Sequence, residues 1–318
     1  MIGSDITKAA ALLQQGELVA IPTETVYGLA ANAFNGNAVA KIYETKGRPQ
    51  FNPLIIHSNS FDKFLSWGIH IPETAFKLAE KFSPGPLTLV VPKGNSIPDI
   101  VTAGHSSVAI RIPNHQICLD LLSQLDFPLA APSANLSGSI SPTSAQHVFE
   151  QLGDKIPYIL DGGNCHIGLE STIISFTGKT PLLLRLGGLA IEEIEQVLGQ
   201  ALDKSKLLNN ENPEAPGMLS RHYAPQTQLR IGNYSDLPES IKKGKIFCIR
   251  FSNYITEVPE SNQILLSKSG NLQEAAQALF AVMREVDAMK VDLILAEKFP
   301  ETGLGLAIND RLKRAEIK

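Results

Sequence analysis

The chain has 318 residues, 43% hydrophobic and 19% charged, which predicts an ordinary globular protein of about two domains. The formal net charge of −4 argues against a global attraction to nucleic acid or to an anionic membrane, so any site for a polyanion has to be a local pocket. The three cysteines are far apart in sequence, and they indicate neither a disulfide framework nor a structural zinc site. Residues 1–15 lack the apolar core of a signal peptide, and no apolar run is long enough to span a bilayer. The composition therefore predicts a cytoplasmic protein without a membrane role.

Two cations follow the first long helix of the prediction. Residues 37–45 place apolar side chains on one helical face, and Gly47 and Pro49 end the helix, so Lys46 and Arg48 project from its exit. Cations near a helix C-terminus commonly offset the helix dipole. Pro49 also favours an extended backbone at Arg48, and alternate residues of an extended segment point the same way. The spacing alone leaves two interpretations open, dipole compensation and a clamp on one anion such as phosphate.

Two arginines interrupt apolar runs that predict strands. Arg111 lies in residues 108–112, and Arg185 lies in residues 182–186. A charged side chain at such a position needs a partner or a ligand. An ion pair with a buried carboxylate and a contact with a bound ligand are both consistent with the pattern at Arg111.

A stretch dense in hydroxyl groups and small side chains occupies residues 133–143. Ser141 and Pro142 predict the start of a helix that runs to Leu152, with Ser141 as its N-cap. The N-terminus of a helix is also a natural site for an anion. Simple capping by Ser141 is the alternative interpretation.

Strands alternate with helices over the first two hundred residues, but irregularly, which favours a mixed sheet over a regular doubly wound fold. A polar segment rich in Pro, Gly and Asn then interrupts the pattern and predicts a linker. Strands and a long amphipathic helix resume after it and predict a Rossmann-like α/β unit. The expected division is a domain at 1–208, a linker at 209–227 and a second domain at 228–318.

Sequence motifs for common catalytic machinery are incomplete. Gly178-Lys179-Thr180 resembles the end of a P-loop, but Ile173 stands where that motif needs its first glycine. The sequence has neither a nucleophile-elbow motif nor an acidic pair typical of a metal site. We therefore expect the reactive atoms to belong to the substrates.

Several short motifs, taken together and in order, resemble the YrdC family of threonylcarbamoyl-AMP synthases, in its two-domain type. The resemblance covers essentially the whole chain. It is carried by Thr23-Glu24-Thr25-Val26-Tyr27-Gly28-Leu29, Lys46-Gly47-Arg48-Pro49, Asn52-Pro53-Leu54, His57, Ser133-Ala134-Asn135, Glu170-Ser171-Thr172, Arg185 and Ser220-Arg221-His222-Tyr223-Ala224-Pro225.

This resemblance implies an α/β fold with a twisted mixed sheet and helices around a large concave cavity, plus a smaller Rossmann-like α/β domain. It also implies a linker that folds over the active site and excludes water. The implied reaction converts L-threonine, bicarbonate and ATP to threonylcarbamoyl-AMP and pyrophosphate. A downstream tRNA threonylcarbamoyl transferase would then modify an adenosine next to the anticodon, and tRNA itself is a candidate partner. ATP is a substrate, and Mg²⁺ would be held mainly by its phosphates, with no protein metal site.

The resemblance assigns residues to two groups by their positions in the motifs. Lys46 and Arg48 would be catalytic, through contacts with the triphosphate. The residues implied to bind ATP are Lys46, Arg48, Asn52, Ser107, Ser133, Asn135, Ser141, Arg185 and Tyr223. The residues implied to bind threonine are Thr25, His57, Arg111, Ala131 and Ser171.

Three other functions make different predictions. An RNA-binding module would use Lys46, Arg48, Arg111 and Arg185 as a basic concave surface, and its affinity would fall steeply with salt. A carbamoyltransferase-type domain would turn over ATP with carbamoyl phosphate instead of threonine and bicarbonate. A nucleotide sensor would bind ATP without releasing pyrophosphate.

Overall fold

A computed structural model of the chain describes residues 1–205, 207, 214–218 and 222–316. Within these residues, ten strands form one mixed sheet and four strands form a second, parallel sheet. The strands are β1 (Ile2–Gly3), β2 (Val19–Ile21), β3 (Gly28–Asn32), β4 (Ile55–His57), β5 (Leu87–Pro92), β6 (Ser107–Arg111), β7 (Leu129–Ala130), β8 (Tyr158–Leu160), β9 (Thr172–Ser175), β10 (Leu182–Arg185), β11 (Leu229–Ile231), β12 (Ile246–Arg250), β13 (Gln263–Leu265) and β14 (Leu293–Ala296).

Eleven α-helices accompany these strands within the described residues. They are α1 (Ile6–Gln14), α2 (Gly36–Lys46), α3 (Phe61–Ser66), α4 (Glu73–Phe82), α5 (Asp99–Thr102), α6 (Gln116–Ser123), α7 (Ala145–Leu152), α8 (Ile191–Leu198), α9 (Glu239–Lys242), α10 (Leu272–Ala288) and α11 (Leu304–Ala315). Two single-turn 3₁₀ helices lie at Tyr234–Asp236 and Glu260–Asn262.

The large sheet has the strand order β1-β8-β2-β3-β7-β4-β6-β5-β9-β10 and mixes parallel with antiparallel pairs. Its neighbours β4 and β6 run parallel, and so do β5 and β9, whereas β5 and β6 are antiparallel. This confirms the mixed sheet predicted from the irregular alternation. The second sheet, in the order β11-β14-β12-β13, is wholly parallel and confirms the Rossmann-like character of the C-terminal part.

Alternate residues of the central strands pack on opposite sides of the large sheet, as the period of two in a strand requires. Val19 and Ile21 of β2 belong to the core under α1 and α6, whereas Ala20 between them belongs to the larger core on the other side. Both faces are therefore buried, which explains why the strands are apolar nearly throughout.

Strand register brings the ends of distant strands together. In the parallel pair β4 and β6, His57 lies directly opposite Arg111. In the antiparallel pair β9 and β10, Arg185 lies opposite Ile173, next to the start of β9. The side chains singled out at the sequence level thus lie at strand ends, where loops that carry function usually begin.

Three predictions for local structure were wrong. The helix after the Ser-rich stretch begins at Ala145 and not at Ser141, because the side chain of Ser144 caps it by accepting from the His147 amide at 3.2 Å. The expected anion site at a helix N-terminus at Ser141 therefore does not form. Strand β3 was missed, since its small residues give no alternating pattern. The sequence pattern also predicts the last helix over 308–317, whereas that helix begins at Leu304.

The second sheet packs against α10 and α11, and α10 in turn contacts the first part of the chain. Leu279, Phe280 and Met283 of α10 are buried, and Phe280 stacks on Tyr223 with ring centroids 5.5 Å apart. The expected linker falls partly outside the described residues, at 209–213 and 219–221. The domain limits at 208 and 228 stay a prediction.

We expect Gly168→Ala to destabilise the protein by preventing the close approach of α10. Gly168 has a φ of +76°, and an added Cβ would lie 2.5 Å from the Cα atom of Gln277. Gly163 has a φ of +80° but open space around its Cα atom, so Gly163→Ala is a control that carries only the backbone strain. The clash should lower the free energy of unfolding by about 1–3 kcal/mol more in Gly168→Ala than in the control, as measured by urea denaturation. Equal losses in the two variants would contradict the close approach.

Candidate active site

A cavity of about 40 Å³ lies at the strand ends of the large sheet. Because one buried water needs about 10–15 Å³ of such a cavity, this space has room for about three water molecules. It is lined by Thr23, Val26, Gly28, Arg48, Ile55, His57, Arg111, Ala131, Pro132, Ser133, Glu170, Arg185, Pro216, Gly217, His222 and Tyr223. Four of these residues, Pro216, Gly217, His222 and Tyr223, come from beyond the large sheet. They cover one side of the cavity, where the family resemblance implies a large concave opening.

Arg111 heads a directed chain of hydrogen bonds at one end of the cavity. Its Nη2 donates to the hydroxyl of Thr25 at 2.9 Å. The Thr25 and Thr23 oxygens lie 2.8 Å apart, and the Thr23 hydroxyl donates to the Val26 carbonyl at 2.7 Å. Because Thr23 donates onward, Thr25 donates to Thr23 and accepts from Arg111. The loop after β2 is thereby fixed against the end of β6.

The charge of Arg111 is balanced by Glu24, whose side chain is fully buried. Arg111 Nη2 lies 2.8 Å from Glu24 Oε2, but neither carboxylate oxygen takes part in a well-angled hydrogen bond with the described residues. The separation is short enough for a strong Coulomb attraction between these buried groups, and the two side chains form an ion pair. Of the two interpretations left open for Arg111, the structure provides the buried carboxylate and also places the side chain on the cavity.

His57, opposite Arg111, is held in its neutral form. Burial, reinforced by the positive charge of Arg111, lowers the pKa of His57 from 6.5 to about 3. Its Nδ1 lies 3.4 Å from the Leu129 carbonyl, which selects the tautomer with the proton on Nδ1. In this tautomer the other ring nitrogen, Nε2, carries a lone pair that can accept a hydrogen bond.

Arg185 is held almost entirely by the chain around it. Its Nε and Nη2 donate to the carbonyl and the hydroxyl of Ser171, both at 3.0 Å, and its Nη1 donates to the Pro216 carbonyl at 3.1 Å. The Ser171 hydroxyl also lies 2.7 Å from that of Thr88. Burial lowers the pKa of Arg185 to about 10.

Lys46 and Arg48 are buried, although the position of Lys46 at a helix exit predicts a solvent-facing side chain in a pocket. Lys46 is 2% exposed and donates to the carbonyl oxygens of Ser133, at 2.5 Å, and Asn135. Arg48 is 7% exposed and donates to the carbonyls of Asn52 and Pro53. Burial lowers the pKa values of both groups, because these carbonyls do not neutralise the charge.

Glu170, the residue before Ser171, lines the cavity. One carboxylate oxygen accepts from the Ser141 hydroxyl at 2.5 Å, and the other accepts from Nε of Arg311 at 2.9 Å. Burial alone would raise the pKa of Glu170, but Arg311, Arg185 and the Ser141 hydroxyl together hold it below its usual range. The carboxylate is therefore ionised and fixed at both oxygens.

Tyr223 covers the cavity with an unusual backbone. Its φ of +63° lies in the left-handed region, which a bulky residue rarely adopts without compensating contacts. Its ring packs between His222, 4.0 Å away between centroids, and Phe280. Ser220 and Arg221, which belong to the same motif, lie outside the described residues.

Seven of the fourteen predicted site residues line the cavity, namely Arg48, His57, Arg111, Ala131, Ser133, Arg185 and Tyr223. Five more contact lining residues through hydrogen bonds, namely Thr25, Lys46, Asn52, Ser141 and Ser171. Asn135 shares the Lys46 amine with Ser133, and its buried Oδ1 lacks a hydrogen-bond partner among the described residues. Ser107 is not in the cavity, because it begins β6 and Arg111 ends it, about 13 Å away at the rise of a strand.

Four charged or titratable residues at the site were given no role at the sequence level. They are Glu24, Glu170, His222 and Arg311. Arg311 carried the same signal as Arg111 and Arg185, a charge among apolar positions, since it follows Ile308 by three residues on the buried face of α11. The two glutamates gave no such signal, because neither lies within an apolar run.

Some classes of site find no support in the described residues. No group of three His, Cys, Asp or Glu side chains within them is arranged to hold a metal ion. Among the described helices, none combines the length and the apolarity needed to cross a bilayer.

Fold and site together define a class, that of α/β proteins with a cavity lined by buried arginine side chains. Residues 11–187 match the family described as "Telomere recombination", and residues 189–316 match "Threonylcarbamoyl-AMP synthase, C-terminal domain".

Individual relatives agree with these matches. The chain is 43% identical to a threonylcarbamoyl-AMP synthase of Pyrococcus abyssi, over 96% of this chain and 92% of the relative. It is 44% identical to that of Bacillus subtilis, over 98% and 92%. A crystal structure of P. abyssi Sua5 complexed with L-threonine matches 98% of this chain and 94% of that chain, with a TM-score of 0.89 and 44% identity. The chain belongs to the threonylcarbamoyl-AMP synthase family, which confirms the predicted resemblance.

We expect stability to fall as the pH decreases below about 6.5. Burial lowers the pKa values of His57 and His222 from 6.5 to about 3 in the folded protein. Between these pKa values the unfolded chain binds protons at both histidines and the folded chain does not. The free energy of unfolding therefore decreases as the pH is lowered. The slope reaches about 1.4 kcal/mol per pH unit for each histidine. His57→Gln should remove one histidine's share between pH 6.5 and 5, as followed by urea denaturation.

His70 is exposed, so His70→Gln is the matched control and should keep the full slope. An unchanged slope in His57→Gln would contradict the buried neutral state of His57.

Proposed function

We propose that this protein is an L-threonylcarbamoyladenylate synthase, which converts L-threonine, bicarbonate and ATP to threonylcarbamoyl-AMP and pyrophosphate. The observation that carries the proposal is one enclosure with two kinds of anion-binding group. Arg111 beside Thr25 suits a small carboxylate, and Arg48 with Arg185 suits phosphates. Similarity over nearly the full chain to relatives named for this activity supports it.

The reaction needs positioning and charge compensation more than an enzyme nucleophile. The threonine amine adds to carbon dioxide, or to bicarbonate with loss of water, and forms a carbamate. A carbamate oxygen then attacks the α-phosphorus of ATP, and the bond from that phosphorus to its bridging oxygen breaks to release pyrophosphate. Each step places negative charge where fixed guanidinium groups can stabilise it.

The threonine end of the site is formed by residues on β4, β6 and the loop after β2. Arg111 holds the substrate carboxylate, and neutral His57 accepts a hydrogen bond at Nε2 without adding a second positive charge. Thr25 already accepts from Arg111, so its position sets the direction of the remaining guanidinium N–H groups. Ala131 and Ser171 complete the predicted pocket. The complex of P. abyssi Sua5 with L-threonine supports this assignment by analogy.

The phosphate end is formed by Arg48, Arg185 and the loop that Lys46 holds. ATP does not fit a cavity of about 40 Å³, so its entry requires the covering segment, described at 214–218 and 222–223, to release the contact between Arg185 and the Pro216 carbonyl. That segment can then cover the bound nucleotide with Tyr223 and exclude water from the mixed anhydride. Mg²⁺ would accompany ATP and be held mainly by its phosphates, where it supplies charge neutralisation.

The wider assignments follow from the same proposal. The product serves a downstream tRNA threonylcarbamoyl transferase that modifies tRNA next to the anticodon, and tRNA is a candidate direct partner. Three free, buried cysteines support a reducing compartment such as the cytoplasm. We infer a catalytic domain at 1–208, a linker at 209–227 and a second domain at 228–318.

The RNA-binding alternative required exposed cations. Lys46, Arg48, Arg111 and Arg185 are only 2–7% exposed, and each already donates to the chain around it. A duplex cannot reach them without a large rearrangement, which argues against that alternative.

We expect the purified protein to release pyrophosphate from ATP only when threonine and bicarbonate are both present, because the carbamate is the nucleophile. Pyrophosphate is measured with each substrate present or omitted, and mass spectrometry identifies threonylcarbamoyl-AMP. Release without threonine, or with carbamoyl phosphate in place of threonine and bicarbonate, would refute the proposal. Binding of ATP without release would favour the nucleotide sensor.

We expect Arg111→Met to raise the KM for threonine by about 10- to 100-fold, the loss of one or two charge-assisted hydrogen bonds, and to leave the KM for ATP nearly unchanged. Arg111→Lys retains the charge that balances Glu24 but loses the planar fork, so its KM for threonine should lie between the two. Thermal melting shows whether each variant is folded. Equal increases in both KM values would place Arg111 outside the threonine pocket.

A further inference from the structure

Arg311 of α11 is fully buried although it belongs to the second domain, and all three of its guanidinium nitrogens are engaged. Its Nε donates to Glu170 at 2.9 Å, its Nη2 donates to the Leu186 carbonyl at 2.8 Å, and its Nη1 donates to Asp310 at 2.7 Å. Two of these partners, Glu170 and Leu186, lie beside Ser171 and Arg185 of the candidate active site. The Arg311 guanidinium group of the second domain therefore contacts residues that adjoin the cavity.

Glu170 is held between the two domains. Its Oε1 accepts from Ser141, which lies in the loop of residues 133–143, here called the Ser-rich loop. Its Oε2 accepts from Arg311. A carboxylate with both oxygens fixed in this way has one orientation, and Ser141 is fixed with it. Ser141 belongs to the predicted nucleotide site, so the Glu170 carboxylate links Arg311 of the second domain to a predicted nucleotide-binding residue.

Tyr223 is supported by the same arginine. The guanidinium carbon of Arg311 lies 4.9 Å from the centroid of the Tyr223 ring, within the range of a cation–π contact. Phe280 of α10 stacks on the same ring with an interplanar angle of 26°. The unfavourable φ of Tyr223 persists only because neighbours hold it, and these two neighbours come from the second domain.

We propose that Arg311 is a positioning residue of the active site, which aligns Glu170, Ser141 and the Tyr223 ring for nucleotide use and so makes the second domain part of the catalytic unit. This inference rests on the proposed synthase activity. A buried interdomain ion pair that only holds the two domains together is the competing account, and the two differ in kinetics.

The charged groups around Glu170 predict how the two accounts of Arg311 differ in kinetics. The charged and titratable groups that face Glu170 are Arg185, Arg311, His222 and Tyr223, with Asp310 behind Arg311. Burial favours the neutral acid, and the two arginines oppose it. Without the charge of Arg311, the pKa of Glu170 should rise, and protonation would release Ser141 from its fixed orientation.

The test compares Arg311→Met and Arg311→Lys with Lys313→Met, a control on the exposed face of the same helix. We expect Arg311→Met to raise the KM for ATP at least about tenfold and to move the acidic limb of the kcat/KM profile to higher pH. Arg311→Lys should restore part of both, and Lys313→Met should match the wild type. Thermal melting selects the variants that are folded at the assay temperature.

Glu170→Gln supplies the second arm, because it removes the titration while keeping the shape. We expect it to raise the KM for ATP and to abolish the pH shift that Arg311→Met causes when the two are combined. A melting temperature lowered in Arg311→Met and Arg311→Lys, with wild-type KM for ATP and pH profile, would overturn the inference. So would a wild-type KM for ATP in Glu170→Gln, even if Arg311→Met did not fold. Wild-type protein without product formation would instead refute the proposed function.

Discussion

The burial of guanidinium groups is the constraint on which the rest of the structure depends. Arg48, Arg111, Arg185 and Arg311 are each at most 7% exposed, and removing a charge from water costs several kcal/mol that only well-placed partners can offset. Those partners are strand ends, loop carbonyls and two buried glutamates, all brought together by one sheet and the segments that follow it. Moving any of these elements would leave a buried guanidinium without its hydrogen-bond acceptors, so the fold and the site specify each other.

The buried cations fall into two groups that suit different tasks. Lys46, Arg48 and Arg185 donate to carbonyl or hydroxyl oxygens, which satisfy their hydrogen bonds but leave the charge uncompensated. Burial accordingly lowers their pKa values, and an anion in the cavity gains the full attraction in a low dielectric. Arg111 and Arg311 each pair with a glutamate. The electric field of each arginine is weakened by its glutamate. A weaker field suits the binding of a single carboxylate at Arg111 and the alignment of other side chains by Arg311.

The sequence predicted the charged positions better than their surroundings. Arg111 and Arg185 stood out because a charge in an apolar run needs a partner, and both line the cavity. The partners could not be predicted, since Glu170 and Arg311 are 141 residues apart and only the folded chain shows that they meet. The prediction that Lys46 faces solvent was wrong for a related reason. The end of a helix is expected to face solvent unless another segment covers it, and here the Ser-rich loop covers it. The resemblance to a family identified fold and residues together, but it gave no role to the residues that hold the site in shape.

The Ser-rich loop shows why two domains serve a site that one sheet already outlines. Lys46 holds the loop from the first domain, through the carbonyls of Ser133 and Asn135. Arg284 of α10 holds it from the other side, through the carbonyls of Ile140 and Ser141, and the Ala224 amide donates to Gly138 at 2.9 Å. A loop of small residues has high conformational entropy, and fixing it costs free energy that these contacts offset. Contacts from both domains give the loop one conformation before any substrate binds, which is the preorganisation that electrostatic catalysis requires.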